Sequence, residues 1–209
     1  MRTIIIGDSP DFELEEITRL KPVGDLVIAL DGAEDKLPSR CEPHIVCGDF
    51  DSRASQALSG RFPQAEYILL EDQHRNDLEK SIELALDRGA TSIALCCVLG
   101  GRMDHSMVTI STLARFHRRI PIVVHHGGME YRVSSPEVPV TLLLEAGTLV
   151  STIPLGTPAL VTLAGVRYPL TQSELRTGSH GVSNEAIGGD VVLRVDRGEV
   201  LVCHKRPVR

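Results

Sequence analysis

The chain has 209 residues, a formal net charge of −6 and 42% hydrophobic residues. This composition is ordinary for a globular protein, and the acidic balance argues against a general nucleic-acid binder, which would carry a basic surface. No run approaches the roughly 20 apolar residues of a membrane span, and the N-terminus is too short and too polar for a signal peptide. The five cysteines form no C-x-x-C pair, so we expect buried thiols in a reducing, cytoplasmic setting.

The first part of the chain alternates short apolar runs with helical patterns. Strands are predicted at 3–6, 26–30, 44–47, 67–70, 92–99 and 120–124, and an acidic helical stretch at 12–20. This alternation predicts a mostly parallel sheet with helices on both faces, a Rossmann-like α/β domain. In such sheets ligands bind at the carboxyl ends of the strands.

Acidic residues follow several of the predicted strands at that edge. Asp31 and Asp72 each come just after an apolar run, and Asp49 and Asp51 stand two apart in the motif 48–52. Carboxylate oxygens suit Mg²⁺, which completes its shell with water and substrate phosphates. An isolated D-x-D is more often an acidic turn, but the repetition of acids at strand ends favours a metal and nucleotide site.

A helix is predicted at 76–89, with Asn76 as its cap and Gly89 as its terminator. Asp77 and Lys80 are three residues apart and therefore neighbours on its first turn. The pair is as consistent with a metal carboxylate and a phosphate-binding ammonium as with a surface ion pair. Its position just after a strand end brings it to the predicted site.

A second helix is predicted after a pair of glycines at 100–101. Glycines ahead of a helix let phosphate approach unpaired backbone N–H groups, and Arg102 adds a fork of donors. The spacing is neither that of a P-loop nor that of the Rossmann glycine motif. Taken alone, His105 is more typical of a capping or packing histidine than of a catalyst. The helix carries apolar residues at helical spacing: Met103, Met107, Ile110 and Ala114.

After Val124 the pattern changes. We predict a break at 125–128 and a linker up to Pro136, and then a smaller all-β domain of sandwich or barrel type. Its strands are predicted at 141–144, 148–152, 159–163, 191–195 and 200–203. The segment 196–199 is a hairpin turn signal, and a glycine-rich polar loop at 177–185 is long for a plain turn.

These motifs together resemble the thiamine pyrophosphokinase family. The resemblance runs in order through LDGA (30–33), GDFDS (48–52), NDLEK (76–80), GGRMDH (100–105), GVRYPL (165–170) and GVSNE (181–185). It implies transfer of pyrophosphate from the co-substrate ATP to the hydroxyl of thiamine, with Mg²⁺ as cofactor, giving thiamine diphosphate and AMP. It also implies a nucleotide-binding catalytic domain at 1–130, a thiamine-binding and dimerisation domain at 131–209, and a homodimer with its site at the subunit interface.

Residue by residue, the resemblance implies four groups of site residues. The metal ligands would be Asp49, Asp51 and Asp77; the nucleotide-binding residues Asp31, Lys80, Gly101, Arg102 and His105; the catalytic residues Asp51, Asp77 and Asp104; and the substrate-binding residues Asp72, Ser183 and Asn184. Either Asp77 or Asp104 could take the proton of the alcohol, and the sequence does not choose between them.

The chain departs from the family pattern ahead of the helix at 76–89. The pattern D-x-D-x-T-D is here replaced by residues 72–77, in which His74 stands for a carboxylate and Asn76 for a threonine. An imidazole is a poorer Mg²⁺ ligand than a carboxylate. Three rival functions therefore stay open: a pyrophosphokinase for another heterocyclic alcohol such as a hydroxymethylpterin, a phosphatase with Asp49 as nucleophile, and a nucleotide- or thiamine-binding module without catalysis.

Overall fold

The computed structural model describes residues 1–21, 24–50, 61–72 and 74–206. The chain divides into two compact units. The first comprises Met1–Thr112 and Ile120–Gly127, and the second comprises Leu113–Arg119 and Gly128–Arg209. None of the described helices is long and apolar enough to cross a membrane.

The first unit is built on a parallel sheet. Its described strands are β1 (Arg2–Ile6), β2 (Leu26–Leu30), β3 (Ile45–Gly48), β4 (Glu66–Leu69), β5 (Ser92–Cys96) and β6 (Ile122–His126). They run in the order β6-β5-β1-β2-β3-β4, and each neighbouring pair is parallel. Every residue of β2 and β3 is buried, as expected of strands covered on both faces.

Four described α-helices begin in this unit, and α3 begins and ends where capping chemistry predicts. They are α1 (Leu14–Leu20), α2 (Ala33–Lys36), α3 (Asp77–Asp87) and α4 (Met103–Phe116), with a short 3-10 helix at Ser39–Cys41. The Asn76 side chain accepts a hydrogen bond from the Glu79 N–H at 2.8 Å, and Gly89 follows α3 with a left-handed φ of 83°. The helix predicted at 76–89 is confirmed.

The apolar spacing of α4 predicts the helix but not its buried side. Met103 and Met107 are 74% and 65% exposed. The buried positions of α4 are Thr109, Thr112, Leu113 and Phe116. The apolar residues of its first two turns therefore face solvent.

The second unit is an antiparallel β domain. Its strands are β7 (Met129–Ser134), β8 (Val140–Leu144), β9 (Leu149–Pro154), β10 (Ala159–Ala164), β11 (Leu170–Leu175), β12 (Asn184–Glu185), β13 (Gly189–Arg197) and β14 (Val200–Lys205). They form one group in the order β12-β9-β14-β7 and another in the order β11-β10-β13-β8. Alternate residues of β8 and β13 are buried in a core that also takes side chains from β9 and β14. The predicted fold class, α/β followed by all-β, is confirmed.

The expectation of a linker after Val124 is wrong. Residues 125–126 belong to β6 and most of the predicted linker is β7, whereas residues 127–128 form a turn between them. The sequence of β7 looks like a linker because it is polar, yet Glu130 accepts a hydrogen bond from Arg132 at 2.6 Å and lies 3.4 Å from the buried His204. Strand β11 was not predicted, because its residues are mostly polar and only its last one is fully buried.

Candidate active site

A cleft of about 700 Å³ lies in the first unit, at the carboxyl ends of β1, β2, β3 and β5. Its walls come from the residues that follow these strands and from the first turns of α3 and α4. The cleft is thus where a parallel sheet is expected to bind its ligand. The residues that line it and bear charge or donors include Asp8, Ser9, Asp31, Asp49, Asp72, Arg75, Asn76, Asp77, Lys80, Arg102 and His105.

Gly48, the last residue of β3, lets two acidic residues approach each other. A Cβ atom added to Gly48 would lie 2.6 Å from the Cβ of Asp31 and 3.4 Å from Oδ2 of Asp77. The Asp31 backbone N–H donates to the Cys47 carbonyl at 2.9 Å, which holds the loop after β2 against β3. Asp31 and Asp77 therefore flank the end of β3, and Asp49 lines the same cleft.

Lys80 is tied to the cleft wall. Its Nζ lies 2.6 Å from Oδ1 of Asp77 and donates to the Leu70 carbonyl at 2.9 Å, and its side chain is only 5% exposed. The Cys47 thiol in β3 is also affected by Asp77. Burial, and to a lesser extent the negative charge of Asp77, raises the pKa of this thiol to about 12. The ammonium thus holds the Asp77 carboxylate in place at the start of α3.

The segment between β4 and α3 forms a tight turn around Asp72. Oδ2 of Asp72 accepts a hydrogen bond from Nε of Arg75 at 2.6 Å, and Oδ1 accepts one from the His74 N–H at 2.8 Å. The Arg75 guanidinium, followed by the His74 N–H, holds the pKa of Asp72 below its usual range. His74, which replaces a carboxylate of the family pattern, is exposed and is not among the residues that line the cleft.

The start of α4 carries an ion pair on its surface. Arg102 donates to Asp104 through Nε at 3.1 Å and through Nη2 at 2.5 Å. This fork lowers the pKa of Asp104 to about 2, although both side chains are largely exposed. Arg102 and His105 line the cleft, whereas Asp104 and Gly101 do not. Gly101 has a left-handed φ of 62° and packs closely on Pro10, so a side chain would not fit there.

Ser183 and Asn184 belong to the second unit, where the side-chain amide of Asn184 binds the backbone of Tyr168. Its Nδ2 donates to the Tyr168 carbonyl at 2.7 Å, and its Oδ1 accepts from the N–H groups of Tyr168 and Glu185 at 3.0 and 2.9 Å. Asn184 is buried, whereas Tyr168 is 62% exposed. The Ser183 N–H donates to Oγ of Ser151 at 2.9 Å. The amide of Asn184 is therefore occupied in fixing Tyr168 beside the Ser183 loop.

Left-handed backbone at non-glycine residues is concentrated in the predicted site segments. Phe50, between Asp49 and Asp51, has a φ of 51°, Cys97 in the cleft has 56°, and Ser183 has 58°. Such conformations cost on the order of 1–3 kcal/mol each and persist where the surrounding structure enforces them.

The structure brings a subset of the predicted residues together. Those that line the cleft are Asp31, Asp49, Asp72, Asp77, Lys80, Arg102 and His105. Asp51 lies outside the described residues. Within the described ranges no group of three or more His, Cys, Asp and Glu side chains is arranged to hold a metal ion.

Sequence reasoning did not select Asp8 or Arg75, which also line the cleft. Asp8 could have been selected, because it follows β1 in the same way that Asp31 follows β2. Its Oδ1 lies 2.6 Å from Nζ of Lys36. No sequence pattern marks Arg75, whose position depends on the turn around Asp72.

Comparison with known proteins gives consistent matches over both units. A family model described as thiamin pyrophosphokinase, catalytic domain, matches residues 18–124, and one described as thiamin pyrophosphokinase, vitamin B1 binding domain, matches residues 137–200. Thiamin pyrophosphokinase 1 of Caenorhabditis elegans is 30% identical over 182 residues, which cover 80% of this chain and 74% of that protein.

Solved structures match the fold along the whole chain. The thiamine pyrophosphokinase of Bacillus subtilis has a TM-score of 0.82 at 21% identity and covers 100% of both chains. The enzyme of Geobacillus thermodenitrificans has a TM-score of 0.81 at 24% identity, covering 99% of this chain and 98% of that one. Yeast thiamin pyrophosphokinase has a TM-score of 0.80 at 14% identity, covering 98% and 86%.

Proposed function

The chain belongs to the thiamin pyrophosphokinase family, and we propose that the cleft of its first unit is where it transfers pyrophosphate from ATP to thiamine. The family predicted from the sequence motifs is confirmed, as is an ATP-dependent diphosphotransferase activity, and the alternative acceptors and non-catalytic functions are not favoured. The observation that carries the choice of cleft is the convergence of Asp31 and Asp77 on Gly48, with Asp49 in the same wall.

The reaction requires positioning and charge neutralisation more than covalent help. The hydroxyl oxygen of thiamine attacks the β-phosphorus of ATP, the new O–P bond forms, and AMP departs with the electron pair of the broken bond. The proton of the hydroxyl passes to a carboxylate. Asp104 does not line the cleft, whereas Asp77 does and is held there by Lys80. This position favours Asp77 as the group that takes the proton.

Members of the family use ATP, generally with a metal ion, and Asp49 and Asp77 line the cleft with carboxylate groups of the kind that such an ion takes as ligands. The proposed ligands Asp49, Asp51 and Asp77 offer hard carboxylate oxygens, and the missing side chain of Gly48 leaves space beside Asp77. We propose Mg²⁺ as the cofactor. When bound, it would neutralise charge on the phosphates.

We propose that the nucleotide phosphates lie against Arg102, His105 and the backbone at Gly101. Arg102 and His105 line the cleft at the start of α4, and left-handed glycines precede that helix. Asp31 borders the same space, and the charge of Lys80 acts from within the wall through its pairing with Asp77.

For thiamine we propose Asp72 and the Ser183 loop of the second unit. Since the amide of Asn184 is engaged with Tyr168, direct contacts from this loop would come from Ser183 and the exposed Tyr168 ring. Asn184 holds the backbone of Tyr168, and Ser151 holds that of Ser183. The resemblance to the family supports a homodimer with the site at the subunit interface. It also supports a catalytic domain at 1–130 and a thiamine-binding, dimerising domain at 131–209. The buried, unpaired cysteines support a cytoplasmic location.

The test measures AMP and thiamine diphosphate formed from ATP and Mg²⁺, with and without thiamine. Asp51→Asn and Asp77→Asn should each lower the rate by about 100-fold or more, the scale expected for a group that positions reacting atoms. Asp87→Asn, at the far end of the same helix α3, is the matched control and should keep the rate. AMP release that does not depend on thiamine, or a faster reaction with a hydroxymethylpterin, would refute the proposal.

A further inference from the structure

We propose that Arg75 is an additional nucleotide-binding residue, whose guanidinium contacts the phosphates that are transferred. The proposal rests on the proposed function of the cleft. Arg75 lies in the turn before α3 and lines the cleft together with Asp72 and Asn76. It therefore stands on the side of the cleft formed by β4 and α3, away from Arg102 at the start of α4.

The Arg75 guanidinium is oriented by one of its nitrogens only. Nε donates to Oδ2 of Asp72 at 2.6 Å, while Oδ1 of Asp72 is held by the His74 N–H. Neither terminal nitrogen of Arg75 forms a hydrogen bond with any described residue, and the side chain is 38% exposed. An arginine fixed through Nε keeps two parallel donors for an oxyanion, which is the arrangement that binds phosphate in a bidentate manner.

The other cations of the cleft are already engaged. Lys80 is 5% exposed and is bound to Asp77 and to the Leu70 carbonyl. Arg102 places both Nε and Nη2 on Asp104. Arg102 keeps only Nη1 for a phosphate, so Arg75 is the lining Lys or Arg residue with both terminal nitrogens available within the described part of the chain.

The cleft is lined by more acidic than basic side chains, so a bound triphosphate needs an available cation. Its lining acids are Asp8, Asp31, Asp49, Asp72 and Asp77, and its lining Lys and Arg residues are Arg75, Lys80 and Arg102. A triphosphate adds further negative charge, and repulsion from the five lining carboxylates would weaken its binding. Since His74 replaces a carboxylate of the family pattern next to Arg75, this segment presents less negative charge to the phosphates than the pattern would.

A purely structural role is the competing explanation. Arg75 also borders a smaller hollow of about 410 Å³ that contains Glu83 and Asp87, and the charge of Glu83 acts on its guanidinium. If Arg75 served only to hold the turn or to neutralise that hollow, its removal would change stability and leave discrimination between ligands unchanged.

The experiment compares binding of AMP with binding of the non-transferable α,β-methylene analogue of ATP by calorimetry, using the full chain. Arg75→Gln should weaken binding of the analogue by roughly 10- to 100-fold, as for the loss of charged hydrogen bonds, and change AMP affinity by less than about twofold. Arg75→Lys should recover part of the loss. Arg88→Gln is the matched control, because Arg88 caps the same helix and pairs with Glu66 outside the cleft at similar exposure.

Three results would overturn the proposal. These are an unchanged affinity of Arg75→Gln for the analogue, equal losses for the analogue and AMP, and an equal loss in Arg88→Gln. Thermal unfolding of each variant establishes that it is folded. A wild-type protein that binds the analogue but forms no thiamine diphosphate would refute the proposed function. The affinities of the Arg75 variants for the analogue and for AMP would then still decide the role of Arg75. A wild type that does not bind the analogue would refute both.

Discussion

Replacing Gly48 with alanine tests whether the acidic residues at the end of β3 must meet as the structure shows. The added methyl would lie 2.6 Å from the Cβ of Asp31, where ordinary contacts are 3.4–4 Å, so the loop carrying Asp31 has to retreat. The required shift is about 1 Å, and misplacement on this scale lowers rates by about 100-fold. Overpacking should also lower the free energy of unfolding by about 1–3 kcal/mol.

Gly89→Ala is the matched control. Gly89 has a φ of 83° with no atom within 4 Å of an added Cβ, and it lies beyond the C-terminal end of α3. Alanine there costs about 1–2 kcal/mol of backbone strain without touching the cleft. Initial rates of AMP release and urea unfolding of both variants separate the two effects. Gly48→Ala with a rate within twofold of wild type, or Gly89→Ala with an equally low rate, would refute the reasoning.

Three further predictions concern other parts of the molecule. Asn184→Ala removes three partly buried hydrogen bonds and should lower the free energy of unfolding by about 2–3 kcal/mol, raising KM for thiamine more than for ATP; equal changes in the two KM values would contradict this. The pKa of Asp104 is about 2 in the folded protein, below its value in the unfolded chain. The ionised Asp104 therefore stabilises the fold at every pH above the unfolded-state pKa, and this stabilisation is lost only as the pH falls towards 2. Asp104→Asn should therefore leave the rate profile between about pH 4 and 7 unshifted, and a moved acid limb would count against the Arg102 pairing. All five cysteines are buried, so a thiol reagent should label them only after denaturation, and rapid labelling of the native protein would contradict the structure.

The parallel sheet was predictable because its strands contain uninterrupted apolar runs, and β2 and β3 are buried on both faces. The same criterion did not predict β7, because its polar side chains form ion pairs and the segment therefore has no apolar run. The helical spacing of α4 was also misleading about burial, because Met103 and Met107 are exposed. Periodicity reports which conformation a segment favours, whereas burial depends on what packs against it.

For the site, sequence position was sufficient wherever a residue follows a strand. Asp31 and Asp49 line one cleft because parallel strands end at the same edge of the sheet. Residues whose role depends on a side-chain partner were harder to predict from the sequence. The orientation of Arg75 depends on Asp72, and the use of the Asn184 amide depends on Tyr168, sixteen positions earlier in the chain.

The left-handed residues of the site segments bear on how this protein could be engineered for thermostability. Replacing such a residue with glycine relaxes the backbone by about 1–2 kcal/mol, but Cys97 and Ser183 stand in the cleft wall and the proposed thiamine loop. Gln172, with a φ of 47°, is the described left-handed non-glycine residue outside these segments, and its side chain makes only an exposed bond to Asp196. A search for a more heat-resistant form should therefore begin at Gln172, in the β domain, and leave the strained positions of the site unchanged.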